Sequence, residues 1–147
     1  MNHLLSAIVL LAIVDAPVLA QTPKAAEAIT MEHYYRIKWG SASEFKRLYK
    51  ANHQPLLDEM KRQGFITRIE SEEPFTHLAG NQRWDLRVTI TYRDAPSAVL
   101  VGGPLDVAFE AAKAKLYPNK KKLDTEETQR FALLEEHWDV IVVPAGD

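Results

Sequence analysis

Trp84, Leu86, Val88, Ile90 and Tyr92 alternate strictly with Asp85, Arg87, Thr89, Thr91 and Arg93. An extended chain sends successive side chains to opposite faces, so this segment predicts a strand with one apolar and one charged face. Met31–Trp39 repeats the pattern. Met31, His33, Tyr35, Ile37 and Trp39 share one face, and Glu32, Tyr34, Arg36 and Lys38 share the other. Two half-apolar strands need a second layer against which to bury one side, and that requirement constrains the fold more than any other feature of the chain.

Helical patterns supply that layer. After Gly40, Ser41-x-x-Glu44 has capping-box spacing, and Phe45, Leu48 and Tyr49 start a stripe that continues through Leu56, Leu57 and Met60. Pro55 lies inside the stripe and must kink the helix or start a second one. Gly64 suits the residue just past a helix end. Phe65–Glu72 reads as another strand, and residues 74–83 as a loop. A helical region begins near Ala95 or Pro96, breaks at Gly102-Gly103-Pro104, and resumes to about Leu116. Lys120–Lys122 reads as a charged loop. Asp124 or Thr125 then caps a further helix with Phe131 and Leu134 on its buried stripe, and His137–Val143 is the last strand. The order β-α-β-β-α-(α)-β predicts a four-stranded antiparallel sheet with helices on one face. This is the ferredoxin-like α+β plan, with an extra helix before the last strand and the first and third strands central.

The chain has 147 residues, 18 Lys+Arg against 20 Asp+Glu, and no cysteine. That excludes disulfides, thiolate metal sites and cysteine nucleophiles. A net charge of −2 gives no electrostatic reason to expect nucleic acid. The apolar run Leu4–Val14 is too short to span a bilayer and fits the core of a secretory signal. Val18-Leu19-Ala20 places small side chains before Gln21, so cleavage is expected there. Residues 1–20 are read as a signal peptide, 21–29 as a flexible lead-in and 30–147 as one domain. The product would be periplasmic or secreted, with no membrane association after cleavage.

Tyr49–Leu56 (Tyr-Lys-Ala-Asn-His-Gln-Pro-Leu), running on to Gly64-Phe65, resembles the first-helix segment of the dimeric α+β barrel superfamily, in particular its EthD-like and NIPSNAP-like families. Those families carry a similar His-x-Pro-Leu near the end of helix one and a Gly opening strand two. The similarity covers about 35 residues, from Tyr35 to Ile69. It implies a homodimer in which two sheets pack face to face, and a cavity with His53 near its mouth. It also implies a mixed set of activities, including cofactor-free oxygenases and isomerases.

The residues offer several candidates. Opposite the helices, Tyr34, Arg36, Lys38, Asp85, Arg87, Thr89 and Thr91, together with His137 and Asp139, form a polar face. It reads either as cross-strand ion pairs on a solvated or dimer-facing sheet, or as a cavity holding a small anionic or carbonyl ligand through Arg36 and Arg87. His53 reads as an acid or base, or as a brace bonding a carbonyl freed by Pro55. His33, on the apolar face between Met31 and Tyr35, reads as a packed, hydrogen-bonded histidine, with a haem or metal ligand as the alternative. Glu135, Glu136, His137 and Asp139 surround one imidazole without metal-ligand spacing, so no metal is expected, and no cofactor either. Trp39, Trp84 and Trp138 fall on the apolar faces and read as core or as flat walls for an aromatic ligand.

The candidate ligand residues are therefore Tyr34, Arg36, Asp85, Arg87, Trp39 and Trp84, with His53 as the candidate catalytic group. Three functions stand. The first is an exported binder of a small polar or aromatic molecule. The second is a cofactor-free oxygenase or isomerase using His53, Tyr34, Arg36 and Asp85. The third is a non-catalytic dimerisation module whose charged face is closed by ion pairs. The first two need a void of roughly 300 Å³ or more.

Overall fold

The computed structural model describes residues 27–143 and 145; the expected leader and cleavage site lie outside them. The strands are β1 (Ile29–Ile37), β2 (Ile66–Glu72), β3 (Leu86–Tyr92) and β4 (Leu134–Val142). The helices are α1 (Ala42–Leu48), α2 (Gln54–Arg62), α3 (Ala95–Val99), α4 (Pro104–Leu116) and α5 (Lys120–Ala132). The sheet order is β2-β3-β1-β4, with every neighbouring pair antiparallel. This is the expected ferredoxin-like arrangement, with β1 and β3 in the middle. No helix among the described residues is long and apolar enough to cross a membrane.

The alternation explains the layers. Tyr35 and Ile37 of β1, Ile66 of β2 and Leu86, Val88, Ile90 and Tyr92 of β3 are buried beneath the helices. Phe45, Tyr49, Leu56, Leu57 and Met60 fill the same core from the first helical segment. On the other side Glu32, Tyr34, Arg36 and Arg87 stay partly accessible on an uncovered face.

Pro55 acts as expected, and the structure shows how. The chain widens into a π-helical turn at Tyr49–His53, and α2 starts at Gln54 with Pro55 in its first turn. Proline has no N–H to offer the carbonyl four residues back. That carbonyl, of Ala51, accepts the Tyr117 hydroxyl instead at 2.8 Å. His53 is therefore not the brace that the sequence suggested. Gly64 ends α2 with φ +80°, a conformation that costs other residues energy.

Several local expectations are corrected. Ser41 makes no side-chain cap bond, because α1 starts from a turn in which the Ser41 N–H bonds the Lys38 carbonyl. Lys120–Lys122 is not a loop. Asn119 accepts the Lys122 N–H and starts α5 early, which moves the buried positions to Leu123 and Arg130 and leaves Phe131 exposed. Leu134 opens β4 three residues before the expected strand. Trp39 lies in the turn beyond β1 and is 67% exposed.

Met60 is fully buried in the core. Met60→Ala is expected to lower the unfolding free energy by about 2–5 kcal/mol, through lost burial and the cavity left behind, as read by denaturant titration.

Candidate functional site

A cleft that gathers three of the seven expected residues, Trp39, Trp84 and Asp85, lies where β1 ends and β3 begins. Ile37, Trp39, Ala42, Lys46, the 73–78 segment, Trp84 and Asp85 line a space of about 210 Å³. Two of these lining residues, Trp39 and Asp85, rest on a buried cation that the sequence does not single out. Arg83 is only 6% exposed. Its guanidinium donates to the Ile37 carbonyl and to Asp85 (3.1 Å), approaches Glu135 at 3.5 Å, and lies 4.3 Å from the centre of the Trp39 indole. Asp85 also accepts the Ile37 N–H at 2.7 Å. The end of β1, the start of β3 and Trp39 are thus tied through one guanidinium. Nothing in the local sequence marks Arg83; a lone arginine in a loop reads as a solvated one.

The rim carries both charge and aromatic surface. Lys46 pairs with Glu73 at 2.9 Å, and the His77 ring tilts against Trp39 with centroids 6.1 Å apart. Phe75 is fully exposed on the segment that overhangs the cleft. Arg36 holds the stretch that follows, by donating to the carbonyls of Arg83 (2.9 Å) and Asn81. Its guanidinium is spent on bracing the loop and on Glu136 at 2.9 Å.

The uncovered sheet face closes on itself. Arg87 pairs with Glu72 and reaches Glu32 at 3.7 Å. Tyr34 donates to Glu32, and this hydrogen bond raises its hydroxyl pKa. The Tyr34 ring stacks on Trp138 at 5.2 Å and meets Trp84 edge-on at 6.1 Å. Trp84 and Trp138 are therefore not on the helix-covered side. Strict alternation begins only at Leu86, and Trp138 stands opposite Tyr34 in the ladder. The same register turns His137 and Asp139 to the helix side, away from the polar face to which the sequence assigned them.

His53 lies in the helix layer, its ring 5.1 Å from Tyr49 and 6.4 Å from Phe109. Burial, reinforced by the Arg130 charge, pushes its imidazole down to about 3, so it is neutral at physiological pH. The structure thus brings together Trp39, Trp84 and Asp85. It leaves Tyr34, Arg36 and Arg87 on the open face and His53 beyond the sheet. A second cleft of about 270 Å³ runs between α4 and α5, but its Lys113 and Lys120 are paired with Glu110 and Asp124 on their own helices.

No protein-family model matches the chain, and no curated protein does. Among solved structures, the chain is similar to a hypothetical Arabidopsis thaliana protein. That likeness has 12% identity and a TM-score of 0.51, and covers 85% of this chain and 96% of that one. It is a likeness of fold. An uncharacterised NIPSNAP domain protein from Burkholderia xenovorans aligns at 16% identity over 81% of this chain and 95% of its own, with a TM-score of 0.47. A dimeric ferredoxin-like protein from an uncultured marine organism aligns at 10% identity over 82% and 91%, with a TM-score of 0.48.

His53 gives a pH signature. Its proton affinity in the folded chain is below the ordinary imidazole value near 6.5, so the unfolded chain binds more protons between about pH 3 and about pH 6.5. Its contribution is intact above that window and is lost as pH falls through it, at up to about 1.4 kcal/mol per pH unit. Denaturation at stepped pH is expected to show this decline, and His53→Gln to flatten it.

Proposed function

We propose that the protein acts outside the cytoplasm as a homodimeric binder of a small aromatic or polar molecule held in the Trp39–Trp84 cleft. The observation that carries this reading is the convergence of Trp39, Trp84 and Asp85 on one concave surface. At about 210 Å³ the cleft is smaller than a drug-sized pocket, yet a cavity of about 150 Å³ already accepts a benzene ring. One aromatic ring with a polar substituent therefore fits. The indoles offer flat apolar walls, and Lys46 and His77 offer polar contacts at the rim.

The uncovered sheet face supports a second copy as partner. Its charges are already paired with one another, so covering them strands few unpaired ions. Val140 and Val142 expose apolar surface on the same face, beside the Tyr34–Trp138 stack. This paired face also favours the alternative of a pure dimerisation module, which predicts an empty cleft. Export is supported by the apolar run Leu4–Val14 and the small residues before Gln21.

Native mass spectrometry of protein recovered from its own periplasm or medium tests these points together. The expected species is a dimer of chains beginning at Gln21, and Val140→Glu is expected to convert it to monomer. A wild-type monomer overturns the dimer, a chain retaining Met1 overturns cleavage before Gln21, and protein found in the cytoplasm but in neither the periplasm nor the medium overturns export.

The cleft has its own test. Indole and benzoate serve as probes in ligand-observed NMR. Trp39→Ala is expected to weaken the bound probe at least about tenfold while costing no more than about 1 kcal/mol of stability, the scale of an exposed cation–π contact. Unchanged binding in Trp39→Ala, or no binding of either probe to the wild type, overturns the ligand reading.

A further inference from the structure

We infer that His33, His137 and Asp139 form a binding site for one divalent transition-metal ion of the zinc class. The site shares no residue with the aromatic cleft. It exists because β1 and β4 run antiparallel, with His33 opposite Asp139 and Tyr35 opposite His137. The two-residue repeat of a strand then places 137 and 139 on the same side as His33. Over 106 residues of sequence separation the ladder assembles what no local spacing shows.

The donor geometry is convergent. Both imidazoles turn Nδ1 toward the same Asp139 carboxylate oxygen, at 2.7 Å from His33 and 3.6 Å from His137. One donor atom from each of the three residues lies within 4.8 Å of the others. Around a zinc ion, nitrogen and oxygen donors sit at about 2.0–2.2 Å from the metal. Donors at that distance around a tetrahedral ion lie about 3.4 Å apart, so the His33–Asp139 contact opens by about 0.7 Å and the widest separation in the cluster closes by up to about 1.4 Å, both within reach of side-chain rotation. Two imidazoles and one carboxylate are a donor set for borderline divalent ions.

The surroundings fit an ion better than they fit a packing role. The other inward positions of β1 near this point, Met31, Tyr35 and Ile37, bury apolar or aromatic surface in the core, whereas His33 is held by a polar contact only through Nδ1, the nitrogen that faces Asp139, its Nε2 being buried without a partner. Asp139 is half exposed and gives an ion a path from solvent. The nearby Arg130 cation is held by Glu127 at 2.6 Å and lies against the Phe131 ring, so it does not occupy the Asp139 carboxylate. Three protein ligands leave a coordination position for water or another small molecule.

The test titrates the purified protein, free of any affinity tag, with Zn²⁺ by calorimetry and with Co²⁺ by visible absorption. The expected result is one ion per chain, with a cobalt ligand-field spectrum. His33 sits on a central strand, so the β4 variants carry the test: His137→Ala and Asp139→Asn, each checked for fold by circular dichroism. Each is expected to weaken binding at least about tenfold. Asp124→Asn, on the surface of α5, is expected to leave it unchanged. Absence of stoichiometric uptake overturns the site. So does a loss of less than tenfold in both β4 variants, or an equal loss in Asp124→Asn.

Discussion

The ladder between β1 and β3, running from Ile29 opposite Tyr92 to Tyr35 opposite Leu86, decides the chemistry of both sides of the molecule. Side chains alternate along it, so a slip of one residue would exchange the buried and open sets wholesale. Val88 and Ile90 would then face water, and Arg87 would enter the core without a partner, at a cost no helix layer could recover. The observed register puts Tyr34 beside Arg87 on the open face, within reach of Glu32, and stacks His33 over Val88 on the covered one. The paired charges of one face and the histidine cluster of the other are consequences of the same alignment.

Two buried guanidiniums complete the structure at places where apolar residues could not. Arg83 satisfies a backbone carbonyl at the end of β1 while its single charge is shared between Asp85 and Glu135. Arg130 is 2% exposed and lies among Phe45, Tyr49 and Phe131, with Glu127 as counter-ion. A planar cation with several donors can cover aromatic faces and serve carboxylates at once. Each arginine joins elements that are distant in sequence: Arg83 links the first turn to the start of β4, and Arg130 fastens α5 to α1.

The strands, their order and the break at Pro55 were legible in the sequence because each is a local or periodic signal. Alternation in Met31–Ile37 and Leu86–Tyr92 survives any choice of neighbours. The errors came where a signal depended on tertiary partners. Trp84 appeared to continue the alternation of β3, but Asp85 bonds the Ile37 N–H and the chain turns before the regular ladder starts. Trp138 reads as the apolar member between His137 and Asp139, and the register against β1 that turns it to the open face is not visible in its own residues. His33 and Asp139 carry no common motif, since only the pairing of β1 with β4 makes them neighbours. Within the aromatic cleft, Trp39, Trp84 and Asp85 were found from residue type, whereas Arg83 and the 73–78 overhang were not.

The two outer strands differ in a way that bears on the life of the isolated chain. β2 ends its sheet with Arg68, Glu70 and Glu72, charges that discourage another strand from docking. β4 ends it with Val140, Ile141 and Val142, all substantially exposed, followed by Val143. A run of β-branched residues along an unprotected backbone edge is a template for foreign strands. Among the described residues, the margin open to self-templated aggregation of concentrated or newly synthesised single chains is thus that of β4, and anything that shields it doubles as protection for the folded state.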